Sequence, residues 1–296
     1  MSEQQDKKGF TRRDLIKGLV GLPIVGGLFA AASARYSSDN KVKETILSEL
    51  NINAVAPPSS GPMSGDAIRL GLIGFGIRGK QLMRALGFAD KEWKESMAAA
   101  AAKNSNDSRL KDFVEQENLN VQIRGVCDVF DTYAEMAVET GTVDGNKPIR
   151  YRTYEEMIAA PDIDAIVIAA PDHWHAPMAM AAARAGKHVY VEKPMTHNLS
   201  ETYELYNTIH ETGVVLQVGH QHRQTQSFLT AIDAINKGVL GHISLIQTNT
   251  NRNDDNGAWQ YDIHEAANPQ TVDWSQFLGN APEIPYNAEH FFRWRK

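Results

Sequence analysis

The sequence predicts an α/β chain in which a doubly wound parallel sheet is followed by a partial α+β domain. Three observations predict it. An apolar run from Ile68 to Ile73 leads straight into glycines at 74, 76 and 79. A second apolar run, Val121 to Cys127, ends in Asp128. Further continuous apolar runs then alternate with helix-periodic segments as far as Val218, which is the pattern of strands buried on both faces.

The first strand, Ile68–Ile73, is followed by Gln81 to Leu86, where Leu82, Ala85 and Leu86 share one helical face. The loop Gly74-Phe75-Gly76-Ile77-Arg78-Gly79 therefore sits where a strand becomes a helix. There Gly74 permits the tight turn, Gly76 lets a pyrophosphate approach the backbone, and Gly79 lets the helix pack on the strand. The helix N-terminus adds free N–H groups and the positive end of its dipole. This is a Rossmann-type arrangement, and it makes residues 74 to 79 candidate dinucleotide ligands. A glycine loop also serves plain packing, so the next strand matters.

Asp128, at the tip of that strand, is placed to accept hydrogen bonds from the adenine-ribose hydroxyls and to repel a 2′-phosphate, which selects NAD. Its alternative role is to cap the helix expected over Asp131 to Glu139. The usual gap to this acid is about 20 residues, whereas Asp128 follows Gly79 by 49 positions. The difference is an insertion of charged and alanine-rich sequence from Phe88 to Asn120, read as a solvated surface helix.

Beyond it the periodicity predicts a short helix over Tyr154–Ala159, a strand over Ile163–Ala169, and a helix over Pro177–Ala185 stopped by Gly186. A strand over His188–Val191, a helix over Ser200–Glu211 stopped by Gly213, and a strand over Val214–Val218 follow. After His222 a helix from Ser227 to Asn236 leads into Ile243–Thr248, whose alternation fits a strand of a second domain buried on one face. The expected divisions are a signal segment at 1–35, a linker at 36–66, a dinucleotide-binding domain at 67–219 and a partial substrate domain at 220–296.

The 296 residues carry 30 Lys and Arg against 36 Asp and Glu, a net charge of −6 with no basic stripe, which excludes a nucleic-acid partner. Thr11-Arg12-Arg13-Asp14-Leu15-Ile16-Lys17 is a twin-arginine export pattern, followed by a weakly apolar stretch to Ala32 and a small-residue cleavage site at Ala32-Ser33-Ala34. The expected partner is the twin-arginine translocation machinery and the expected address is the periplasm, with tethering by an uncleaved signal as the alternative. The stretch is shorter than the roughly 20 apolar residues that a span requires. The single cysteine, Cys127, excludes an internal disulfide and reads as a core residue.

Open parallel sheets bind ligands beyond the carboxyl ends of their strands. Asp128, Pro171-Asp172-His173-Trp174-His175, Glu192-Lys193-Pro194 and Gly219-His220-Gln221-His222-Arg223 all fall at such ends. Pro194 holds Lys193 extended, so that its ammonium projects from a strand tip, where it can exchange a proton with a substrate hydroxyl. The competing reading pairs it with Glu192 on the surface. A zinc site built on His173 and His175, or on His220 and His222, needs third and fourth ligands that the sequence does not identify.

The glycine loop, Cys-Asp-Val at 127–129, Ala-Pro-Asp-His-Trp-His-Ala at 170–176, Glu-Lys-Pro at 192–194 and Val-Gly-His-Gln at 218–221 resemble, in order, the signature series of the Gfo/Idh/MocA family of NAD(P)-dependent oxidoreductases. The resemblance runs from Ile68 to Lys296. It implies Lys193 as the catalytic lysine, Pro171, Asp172, His175 and Glu192 around the nicotinamide ribose and ring, Gln221 and Arg223 on the substrate side, and a homo-oligomer in the full-length form. The Asp and His four residues apart that the family carries in its second domain are not found; Asp262-Ile263-His264 has the wrong spacing, so the chain reads as cut short.

The expected function is thus an NAD-dependent oxidoreductase of sugars or sugar derivatives with a tightly held, internally recycled cofactor. Arg78 in the glycine loop also resembles the NAD-dependent α-N-acetylgalactosaminidase branch, which makes a redox-neutral glycosidase the alternative. A nucleotide-binding module without turnover is the third reading.

Overall fold

Strand β1 (Ile68–Ile73) runs through the centre of a six-stranded parallel sheet whose order is β3-β2-β1-β4-β5-β6. The computed structural model describes residues 44, 45, 48, 65–249 and 258–295. The export signal at 1–35 and nearly all of the expected linker at 36–66 lie outside the described residues.

β2 (Val121–Cys127) pairs with β1 from Ile68↔Val121 to Ile73↔Cys127, and β4 (Ala165–Ile168) flanks β1 on the other side, with Ile73 opposite Ile168. β5 (His188–Glu192) and β6 (Leu216–Gly219) extend that half, with Glu192 opposite Gly219. The apolar runs become central strands because both faces are covered. Leu70, Leu72, Ile123 and Val167 pack into one layer with Phe75, Leu82 and Met83 of the glycine-loop side. Ile73, Ile166, Ile168 and Val191 pack into the other with Met157, Ala176, Ala179 and Leu205. Burying each such large side chain is worth roughly 1.5–3 kcal/mol relative to exposure.

The helices between the strands carry clear stop signals and caps. α1 (Ile77–Ala85) begins on Gly76. α4 (Asp131–Gly141) follows β2, and α5 (Tyr154–Ala159) opens with a capping box between Thr153 and Glu156. α7 (Leu199–Thr212) has a second such box between Asn198 and Glu201 and ends on Gly213 at φ 67°. The insertion holds two helices, α2 (Lys91–Lys103) and α3 (Arg109–Glu115), in place of one; Met97 is the buried residue of α2 and α3 buries none. The insertion fastens to the end of α1, with the Arg84 guanidinium 5.0 Å over Trp93 and Gln116 donating to the Arg84 carbonyl.

Three elements depart from the sequence expectation. β3 (Ile149–Tyr151) has only three residues and gains its strand geometry from pairing with Gly125–Cys127. α6 (Asp172–Arg184) starts five residues earlier than Pro177, which sits inside it. The expected strand at Ile243–Thr248 is not formed: no strand pairs with it among the described residues, and Leu245 and Ile246 are nearly four-fifths exposed. An alternating pattern supplies a face but not the hydrogen-bonding neighbour that makes a ladder.

The described residues divide into two units, one of 65–220 with 258–295 and one that includes 221–249. The second holds α8 (Gln226–Asn236), close to the predicted helix. Residues 258–295, expected in the second domain, belong instead with the sheet. They contain α9 (Trp274–Leu278) and α10 (Ala288–Phe292), and Val272 forms an antiparallel bridge with Phe130 just past β2. Phe130, fully buried, is the hub of an aromatic cluster with Tyr133, His264, Phe291 and Phe292, at centroid distances of 4.9–6.2 Å. Among the described residues no helix is long and apolar enough to cross a membrane.

Candidate dinucleotide and catalytic site

The glycine loop turns sharply on Gly74, whose φ of +87° and N–H bond to the Cys127 carbonyl fix the exit from β1. Gly79 lies against the Gly74 carbonyl, and an added Cβ there would fall well inside contact distance of that oxygen. So Gly79 admits the close packing of α1 on the loop itself, not on the strand. A Cβ on Gly76 would meet nothing within 4 Å. Gly76 caps α1 without a side chain, so the N–H groups of the first turn have no acceptor within the helix and open toward that space. A crowded glycine, an open glycine and bare helix N–H groups fit a pyrophosphate. Phe75, by contrast, buries its ring in the core and offers only its backbone, while Ile77 is exposed beside the loop.

Asp128 stands at the tip of β2. Its Oδ2 accepts the Phe75 N–H at 2.6 Å and its Oδ1 accepts the Phe130 N–H at 2.8 Å. The N-cap of α4 is Phe130, which corrects the capping alternative: Asp128 is fixed across to the glycine loop. Burial pushes its carboxyl up to about 6, against the pull of those two donors, Arg150 and Lys80. Each oxygen keeps a second lone-pair direction for a ribose hydroxyl. Neighbouring Cys127 is a core residue whose thiol burial pushes up to about 12.

The cluster after β4 belongs to the first turn of α6. Pro171 is its N-cap, and Asp172 at its first position pairs with Arg295 at 2.5 Å. The Arg295 guanidinium also lies 5.0 Å over Trp259 and 4.5 Å over Trp294. His173 and Trp174 both turn to the Phe277 carbonyl, at 2.9 and 3.0 Å. Helical residues two apart point in different directions, so His173 and His175 share no face. Among the described residues no group of three His, Cys, Asp or Glu side chains could hold a metal ion.

His175 does not present a ring nitrogen to a cofactor. It is 1% exposed, with Nδ1 2.6 Å from the Pro194 carbonyl oxygen and Nε2 2.8 Å from that of Ala170. Glu192, 4% exposed, is likewise engaged: its Oε1 accepts from Arg78 Nε at 2.7 Å and from the Tyr190 hydroxyl at 3.1 Å. That occupies Oε1 of the carboxylate expected near the nicotinamide, and it turns Arg78 from the loop toward β5. Tyr190, two residues before Glu192 and hence on the same strand face, was legible by period; Arg295 carried no sequence signal. Lys193 follows directly, is half-buried, and makes no hydrogen bond or ion pair among the described residues. Gln221 and Arg223 are exposed and fall in the other unit, as does His222.

Residues 68–220 match the model of the oxidoreductase family with an NAD-binding Rossmann fold, GFO_IDH_MocA. The chain belongs to this family. Its Rossmann domain is an NAD-binding one, and NAD is the cofactor that residues 74–79 and Asp128 fit. Among its relatives, the uncharacterized oxidoreductase YdgJ of Escherichia coli (strain K12) is 42% identical over 92 residues, 31% of this chain and 27% of that protein. Glycosyl hydrolase family 109 protein 1 of Shewanella sp. (strain MR-4) is 30% identical over 129 residues, 42% of this chain and 28% of that protein. Levoglucosan dehydrogenase of Pseudarthrobacter phenanthrenivorans is 36% identical over 90 residues, 30% of this chain and 23% of that protein. The chain therefore spans less than a third of the length of each of these relatives.

Proposed function

We propose that the protein is an NAD-dependent oxidoreductase of sugars or sugar derivatives, with Lys193 as its proton-transfer residue. The observation that carries this reading is the state of Lys193. It is the residue at the tip of β5, on the sheet edge that also carries the glycine loop and Asp128, and its amine alone in that group has no protein partner among the described residues. The surface-pair alternative lacks support: Glu192 is held by Arg78 and Tyr190, and no ion pair joins it to Lys193 among the described residues. NAD, when bound, supplies the hydride acceptor or donor. The first turn of α1 would bind its pyrophosphate, Asp128 its adenine ribose, and Lys193 would take or return the proton of the substrate hydroxyl.

Carbohydrate as the substrate class is supported by the names of two relatives, a levoglucosan dehydrogenase and a family 109 glycosyl hydrolase. The twin-arginine pattern at Arg12-Arg13 supports export to the periplasm. No pool of NAD recycles there, so the cofactor is held through successive turnovers and regenerated in place, and the full-length protein assembles as a homo-oligomer. The family 109 relative favours one second reading, a redox-neutral glycosidase that uses the same bound cofactor transiently.

The test is made on protein purified from periplasmic extract. It carries near-stoichiometric nicotinamide, released on denaturation, and converts glycosides or paired sugars without added NAD; release of an aglycone identifies the glycosidase. Lys193→Met retains the nicotinamide and loses at least about 100-fold in turnover, the scale of general acid–base catalysis. Protein that arrives empty and needs millimolar NAD overturns the closed cycle, and undiminished turnover in Lys193→Met overturns the proton-transfer role.

A further inference from the structure

At the end of β5 a side-chain carboxylate and a backbone carbonyl are engaged with protein partners on either side of a lysine that is not. On the N-terminal side, Glu192 is pinned by Arg78 and Tyr190. The pin crosses 114 positions of sequence and joins the first turn of α1 to the last residue of β5. Its space is reserved by Gly219, opposite Glu192 on β6, where an added Cβ would fall 2.5 Å from Glu192 Oε1. On the C-terminal side, the Nδ1–H of His175 donates to the Pro194 carbonyl, and Nε2 stands 2.8 Å from the carbonyl oxygen of Ala170, two residues past β4. The ring is 1% exposed and lies in the first turn of α6, so it joins three segments in one buried contact.

We propose that Arg78 and His175 are positioning residues that clamp the backbone of Lys193 from both sides, fixing where its free ammonium stands relative to the pyrophosphate loop. The inference rests on the proton-transfer reading of Lys193. Lysine has four rotatable side-chain bonds, so precision at its nitrogen must come from its Cα and from packing around its stem. Both neighbours of Lys193 in the chain have their polar groups tied, one to the glycine-loop helix and one to the β4–α6 corner. A shift of about 1 Å in a catalytic group costs on the order of 100-fold in rate, which is what such fastening protects. It also explains why residues that look like cofactor ligands spend their polar atoms on the protein: neither has to touch the nicotinamide to govern the geometry there.

The experiment reads Lys193 itself. The protein without substrate is acetylated briefly with an N-hydroxysuccinimide ester, and each lysine is quantified by mass spectrometry, with and without NAD. His175→Ala and Arg78→Met each raise acetylation of Lys193 at least about fivefold in the absence of NAD, while Lys80, Lys91 and Lys147 stay unchanged; Glu192→Gln reproduces the Arg78 effect. Arg78→Met leaves the carboxylate of buried Glu192 without its cationic partner, so Glu192→Gln, which removes the charge together with the pin, is the variant that keeps the test decisive where His175→Ala or Arg78→Met fails to fold, a case marked by all lysines rising together. Folded variants in which Lys193 reacts as in the parent overturn the clamp. NAD protects Lys193 in the parent. Absence of that protection overturns the placement of Lys193 beside the cofactor and leaves the clamp standing, so the two failures are distinguishable.

Discussion

Gly76 and Gly79 sit three residues apart in one loop, and a methyl group added to each should fail in opposite ways. At Gly76 the backbone has φ −65° and ψ −164°, a conformation open to any residue, and the added carbon meets nothing within 4 Å. Gly76→Ala therefore loses only the preference for glycine at an N-cap, about 0.5–1.5 kcal/mol. Its methyl stands in the space that a pyrophosphate must enter. Losing two charge-assisted hydrogen bonds at roughly 1.5–3 kcal/mol each lowers NAD affinity at least about 100-fold. At Gly79 the added carbon runs into the Gly74 carbonyl, a backbone group in a turn at φ +87° rather than the end of a flexible side chain, so relief requires the loop itself to move. Overpacking of this kind costs about 1–3 kcal/mol or more. The helix propensity gained, about 1 kcal/mol, does not offset it. Gly79→Ala should lower the urea midpoint more than Gly76→Ala, and Gly76→Ala should show the larger binding defect relative to its stability loss. Isothermal calorimetry with NAD and urea melts followed by tryptophan fluorescence separate the two. Binding by Gly76→Ala within about threefold of the parent would refute the reasoning, because it would mean that the open face of the loop is not where the dinucleotide lies.

Asp128 predicts a pH-dependent cofactor choice. Its carboxyl is raised to about 6, so it is ionised at pH 8 and largely neutral at pH 5; the preference for NAD over NADP shrinks as pH falls through that window, and Asp128→Asn loses most of the preference at pH 8, measured by titration with both dinucleotides. Because this folded value lies above the unfolded one, the stability contributed by protonated Asp128 is complete below about pH 4 and lost as pH rises through about 6. At the opposite edge of the sheet, Arg69 holds the Asp164 carboxyl down to about 2. This stabilisation is present above pH 4 and lost as pH falls toward 2; with both side chains more than a third exposed, solvent screens the pair, so Asp164→Asn shifts the acid-unfolding midpoint only modestly. Lys187, 8% exposed, donates to the carbonyls of Ala160 and Ile163 at 2.8 and 2.7 Å. Lys187→Met leaves both oxygens unpaired in the interior and costs about 1–3 kcal/mol in a urea melt, with NAD affinity unchanged.

What the sequence disclosed and what it hid follow from the range of the interactions involved. β1 and β2 were legible to the residue because a continuous apolar run ended each time in a residue with its own demand, a positive-φ glycine or a buried acid. Ile149–Tyr151 was not, since three residues carry no periodicity and the strand exists through its register with β2. Pro177 looked like a helix start because proline suits the first turn; inside α6 it removes the N–H that would bond the His173 carbonyl, and the helix tolerates that loss. The site divides along the same line. Position at a strand tip is local, so Asp128, Asp172, His175, Glu192 and Lys193 could all be named from the sequence. The partners of these residues are not local: Arg78 lies 114 positions from Glu192, and Arg295 lies 123 from Asp172. A polar residue at the edge of a parallel sheet can spend its atoms on the fold or keep them for a ligand, and only the long-range pairing decides which. His175 and Glu192 are spent, Asp128 is half spent, and Lys193 is not. On the proposed reading the chemistry falls to what remains once the protein has satisfied itself, and among the described residues of this sheet edge that is the amine of Lys193.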